Sequence, residues 1–82
     1  MVKRLPSISE LPLSEIVIPA DRLRPISEAK VAALMQVIEE GVFLGAITVR
    51  RTDKINTLID GAHRHEAMCR LGRESIRADV RL

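Results

Sequence analysis

Apolar residues return at helical spacing between residues 27 and 41. Val31, Leu34, Met35 and Ile38 fall at i, i+3, i+4 and i+7, which lines one face. Ser27 stands where an N-cap belongs, Glu28 suits the first turn, and Gly41 follows at the usual stop position. A helix is therefore expected here. Further on, Ala46-Ile47-Thr48-Val49-Arg50 and Ile55-Asn56-Thr57-Leu58-Ile59 are β-branched runs on either side of Thr52-Asp53-Lys54. That pattern predicts a hairpin. Asp60-Gly61 ends it, and Ala62 to Leu71 reads as a second helix with Ala67, Met68 and Leu71 inward and Gly72 as its stop. Glu74 to Arg81 alternates, with Ile76, Ala78 and Val80 on one side, as in a strand with one wet face.

The beginning of the chain is patterned more weakly. Residues 1–12, with Pro6 and Pro12, read as an extended lead-in to a domain spanning residues 13–82. Leu13 to Ile18 is a short strand candidate closed by Pro19. Ala20 to Pro25 and Val42-Phe43-Leu44-Gly45 are connectors. The order is β-α-β-β-α-β, an α/β (α+β) class with a small mixed sheet and helices packed on it.

Composition narrows what such a domain can do. At 82 residues it is one thin-cored unit. Phe43 is the sole aromatic, which argues against base stacking on aromatic platforms. Thirteen Lys and Arg against eleven Asp and Glu leave a net charge of +2, with the basic excess from Arg50 onward. That is a mild bias, short of the footprint of an autonomous DNA binder. Cys69 is alone, so no internal disulfide is available, and it is expected near the buried side of the second helix as a small hydrophobe. No apolar run is long enough to cross a membrane and no signal-peptide pattern opens the chain, so a cytoplasmic location is the default expectation.

The chemistry concentrates at Asp60-Gly61-Ala62-His63-Arg64. Glycine lets a strand turn directly into a helix and lets a ligand approach the main chain. The free N–H groups of Ala62, His63 and Arg64 then point outward as donors for an anion such as phosphate. His63 and Arg64 sit where the helix dipole disfavours cations, a conflict expected at functional sites. Arginine supplies a fork matched to phosphate oxygens. An ordinary strand-to-helix turn remains the bland alternative. Asp60 either caps the helix or holds a magnesium ion that a nucleotide brings. Lys30, early in the first helix, is either plain surface or a second arm toward the same anion if the two helix starts converge. His65 is expected to face away on plain surface. His63 and His65, two apart, point to different sides, so the protein alone offers no compact metal-ligand set.

Gly61, Arg64, Ala67 and Leu71-Gly72, with the Asp60-Gly61-x-His63-Arg64 start, resemble the ParB/sulfiredoxin superfamily. Leu13-Ser14-Glu15-Ile16, Arg24-Pro25, Ala29-Lys30-Val31 with Leu34, and Val49-Arg50 fit the same pattern, so the resemblance covers about residues 10–82. It implies nucleotide binding. In sulfiredoxin the matching lysine, histidine and arginine hold ATP phosphates, which maps onto Lys30, His63 and Arg64. In ParB proteins the matching helix start binds the triphosphate of CTP, which maps onto Gly61 and Arg64. Two departures matter. Sulfiredoxin places its reactive cysteine just before His-Arg, where this chain has Ala62, so reduction of a sulfinic peroxiredoxin is not expected. ParB proteins continue into a helix-turn-helix and a dimerisation domain that these residues do not encode, as expected of a fragment or a stand-alone module.

The expected function is thus a nucleoside triphosphate-binding domain, taking CTP or ATP with magnesium. Its setting would be plasmid partition, chromosome segregation or DNA-associated regulation, with DNA-binding aided by partner domains or a homodimer. Two alternatives differ in class. One is an enzyme on the same scaffold (an NTPase, a phosphotransferase or a nuclease), for which Glu66, His63 and Asp60 would be the candidate groups. The other is a nucleotide-independent DNA-binding or interaction module.

Overall fold

The computed structural model describes residues 8–19, 25–42 and 44–82. The expectations placed on residues 1–7, on residues 20–24 and on Phe43 lie outside the described residues. Among the described residues five strands make one mixed sheet: β1 (Ile8–Pro12), β2 (Ile16–Val17), β3 (Ile47–Thr52), β4 (Ile55–Asp60) and β5 (Ser75–Arg81). Two helices accompany them, α1 (Glu28–Glu39) and α2 (Ala62–Arg70). The sheet order is β1-β5-β3-β4-β2. β3 and β4 form the predicted antiparallel hairpin, while β5 returns parallel to β3 after the α2 crossover.

The hairpin turn is tighter than a three-residue loop. Thr52 pairs with Ile55, which leaves Asp53 and Lys54 as its two central residues. Both have positive φ, 49° and 68°. Two left-handed residues match the twist of the flanking strands, though Lys54 gives up the freedom a glycine would have there.

Alternation along the strands builds the core. Ile47, Val49, Leu58, Ile76, Ala78 and Val80 are buried, joined by Leu11, Leu13 and Ile16 from the first segment. α2 seats Ala67 on β3 and β5, Met68 packs at the edge of this cluster, and α1 packs chiefly on α2 through buried Val31. Leu58 is 1% exposed.

The first segment differs most from its sequence pattern. Residues 8–12 are extended, as expected of a lead-in, but they form an edge strand of the sheet. β1 pairs antiparallel with β5, from Ile8 opposite Asp79 to Pro12 opposite Ser75. Pro12 sits at the strand end, where a missing N–H is tolerated. Leu13 to Ile18 is only partly strand. Leu13–Glu15 is a single 3₁₀ turn, and only Ile16 and Val17 pair, parallel to β4. The turn is held where the Leu13 N–H donates to the Glu74 carbonyl at 2.9 Å. Asn56, read simply as a strand residue, is a buried polar side chain whose Oδ1 accepts from Arg51 Nε at 2.8 Å.

Candidate functional site

The two helix starts are finished differently. At α1, the Ser27 side chain accepts from the Lys30 N–H and Glu28 occupies the first turn, so donors and dipole both find partners. At α2, the N-cap is Gly61, which has no side chain to offer, and the first turn carries no acidic residue. The outward N–H groups of Ala62, His63 and Arg64 therefore meet no side-chain cap among the described residues. Asp60 does not cap the helix; it is exposed at the end of β4, opposite Thr48.

Gly61 is required by geometry. Its φ is +104°, and a Cβ built there would lie 2.5 Å from Ile47 Cγ2 and 2.9 Å from Ile47 Cβ. The chain turns from β4 into α2 directly against the core, which leaves the main chain at the helix start bare.

His63 joins the two starts. The Ser27 N–H donates to His63 Nε2 at 3.0 Å across 36 positions of sequence. The two helix starts therefore meet at this bond. The Lys30 residue is exposed, one turn into α1. The same faces meet again at the far end of α2. Arg70 grips Glu28 with two bonds, Nη1–Oε1 at 2.6 Å and Nη2–Oε2 at 2.9 Å, and also holds Glu66 through Nε at 2.8 Å. His63, Glu66 and Arg70 lie at i, i+3 and i+7, one side of α2. The hydrogen bonds and charge of Arg70 hold the Glu28 carboxyl below its ordinary range. This network was not anticipated from the sequence, where Glu28 reads only as a dipole-suited residue.

Arg64 turns toward the loop before β3. Its Nη1 donates to the Leu44 carbonyl at 2.8 Å and more weakly to the Ala46 carbonyl at 3.4 Å. It also borders an apolar hollow of about 240 Å³ with Ile38, Val42, Leu44, Met68 and Ile76. The guanidinium therefore braces the loop, and among the described residues its other nitrogens have donors still to place.

Two expectations along α2 need correction. Cys69 is exposed, because two residues at 100° each carry it to the side opposite buried Ala67. Partial desolvation of the sulfur on this exposed residue, then the nearby Glu66 charge, push its thiol up, away from a reactive thiolate. His65 is half-buried rather than plain surface, with Cys69 Sγ 3.9 Å from its Nδ1. Burial lowers its pKa from the ordinary 6.5, against the opposing pull of Glu66 and the Leu13 backbone. The unfolded chain then binds more protons just below that value, so folding stability falls as pH drops through this window. Urea titrations between pH 5 and pH 8 are expected to show a His65→Gln variant with a flatter profile than the parent. Parallel profiles would remove His65 as the source.

Comparison with known proteins agrees with this fold. The family model described as the ParB N-terminal domain matches residues 3–82. The sulfiredoxin of Arabidopsis thaliana superposes with a TM-score of 0.85 at 37% identity, over 93% of this chain and 85% of that one. ParB of Caulobacter crescentus, a chromosome-partitioning protein solved with CTP-γ-S, gives a TM-score of 0.78 at 24% identity, over 90% of this chain and 43% of that one. A free serine kinase solved with AMP gives 0.75 at 14% identity, over 94% and 32%. The last two likenesses establish the fold, and this chain spans less than half of either protein. No curated protein matches the chain.

Proposed function

Since the chain belongs to the ParB N-terminal domain family, in the ParB/sulfiredoxin superfamily, we propose that it binds the phosphates of a nucleoside triphosphate at the start of α2. The observation that carries this reading is the contrast between the two helix starts. α1 is capped by Ser27 and has an acid in its first turn, whereas α2 begins on bare Gly61 with neither. The N–H groups of Ala62, His63 and Arg64, the positive end of the dipole and the nearby cationic side chains suit an anion. His63 and Lys30 supply donors beside it. Arg64 anchors the loop at residues 44–46 with one nitrogen and closes on phosphate with the rest of its fork. Asp60, exposed beside the turn, would hold the magnesium that accompanies the nucleotide.

ParB of Caulobacter has been solved both with CTP-γ-S and with the centromeric parS site. By that likeness the module would serve partition or DNA-associated regulation, contacting DNA through further domains or a second copy. Ala62 stands at the first position of α2, where sulfiredoxin carries its reactive cysteine, so the site holds a nucleotide without sulfur chemistry.

Thermal unfolding with ATP, CTP, GTP and UTP, each with and without magnesium, is the direct test. At one hundred times its dissociation constant a bound nucleotide adds about 2.7 kcal/mol, a rise of several degrees for a domain of this size. CTP or ATP is expected to give it, more strongly with magnesium. No shift with any of the four at millimolar concentration would sink the proposal. Phosphate release in the same samples would move the site into enzyme chemistry.

A further inference from the structure

His63 stands in the first turn of α2 and bonds the cap residue of α1, and its bonding decides its chemical form. A backbone N–H can only donate, so the nitrogen facing Ser27, Nε2, must carry a lone pair. The proton of the neutral ring then belongs on Nδ1, because the bond made by one ring nitrogen sets the state of the other. An imidazolium would present a second donor to the Ser27 N–H and break the contact.

We infer that His63 works as a neutral, Nδ1-protonated ring that docks the start of α1 through Nε2 and offers Nδ1–H to the bound phosphate. This rests on the phosphate reading above and gives it a direction. Ser27 is the cap residue of α1, with its own oxygen bound to the Lys30 N–H. The ring therefore positions the first turn of α1, and with it Lys30, relative to the bare start of α2. A cation at position 63 would supply charge but no acceptor for Ser27. An amide would supply both an acceptor and a donor and keep the ring's pattern.

The nitrogen state is read in the nucleotide-free protein by long-range proton–nitrogen correlation of its two histidine rings at pH 7.5, with His65→Gln used to assign them. The expected His63 spectrum shows protonated Nδ1 and an unprotonated Nε2. An Nε2–H ring or an imidazolium would overturn the inference whatever the nucleotide does. The functional arm compares His63→Gln with His63→Lys by calorimetry against CTP and ATP with magnesium. Gln is expected to retain affinity close to the parent, and Lys to lose about tenfold or more, equivalent to about 1.4 kcal/mol. The Ser27 amide should keep its hydrogen-bonded shift in the Gln variant and lose it in the Lys variant. Binding by the Lys variant equal to or tighter than the Gln variant would show that charge alone matters at this position. If neither nucleotide bound the parent, the phosphate half would fall with the proposed function, while the ring spectrum would still judge the tautomer.

Discussion

Gly61→Ala is expected to cost more stability than any other single methyl added to this chain. Two independent penalties meet there. The φ of +104° lies where an L side chain is strained, at about 1–3 kcal/mol. The new Cβ would also stand 2.5 Å from Ile47 Cγ2, and Ile47 is completely buried in the sheet. Forcing a methyl into a packed core costs about 1–3 kcal/mol more. Together these approach the whole stability of a small domain, about 5–15 kcal/mol for folded proteins in general. Chemical denaturation should show the variant largely unfolded at mild urea concentrations. Gly72→Ala is the matched control: its φ is +71°, and an added Cβ there meets nothing within 4 Å. It should lose only the conformational part, about 1–2 kcal/mol. Equal losses at the two glycines would refute the close packing of the β4–α2 turn on Ile47.

Arg64→Ala has the largest expected effect on binding. The guanidinium is tied to the Leu44 and Ala46 carbonyls, and a Cβ on Gly45 would lie 3.5 Å from its Nη1, so arginine and loop are in close register. Truncation leaves those half-buried carbonyls without their charged donor, at about 1.5–3 kcal/mol of stability. On the proposed reading it also removes the forked donor from the phosphate. Charge-assisted bonds of this kind are the strong ones, so affinity should fall about 100-fold, or about 2.8 kcal/mol. Arg64→Lys separates the two roles. It keeps the charge, and hence part of the affinity, but not the fork that braces the loop. Calorimetry and urea titration on both variants check this. Nucleotide affinity unchanged in Arg64→Ala would remove Arg64 from the site and leave it as a loop brace alone.

These two residues also show why some features can be read along the chain and others cannot. α1 was legible because its determinants are local: the Val31, Leu34, Met35, Ile38 stripe, the Ser27 cap and the Gly41 stop all lie within fifteen positions. The β3–β4 hairpin and the glycine-led start of α2 were legible for the same reason, and with them the bare helix end at the candidate site. The partners of that site were not. Ser27 meets His63 36 residues away, and Glu28 meets Arg70 42 residues away. Period and capping carry no signal for such pairs, which depend on how α1 lies across α2. β1 was missed as a strand because a short segment ending in proline has little intrinsic preference. Its hydrogen bonds come from β5, at the other end of the chain.

Cys69 and His65 make the same point on one helix. The sequence locates them on α2, but exposure follows from the angle between each residue and Ala67, and from the Leu13 turn that half covers His65. The sequence alone determined the element order from α1 to β5, the bare glycine at the start of α2 and the alanine that follows it, because each is a matter of residue type and short-range spacing. The tertiary structure decided that Arg64 first serves a loop, that Arg70 ties the helices and that His63 presents Nε2 to Ser27. Those roles depend on which distant backbone and carboxylate groups arrive within 3 Å, and folding alone brings them there.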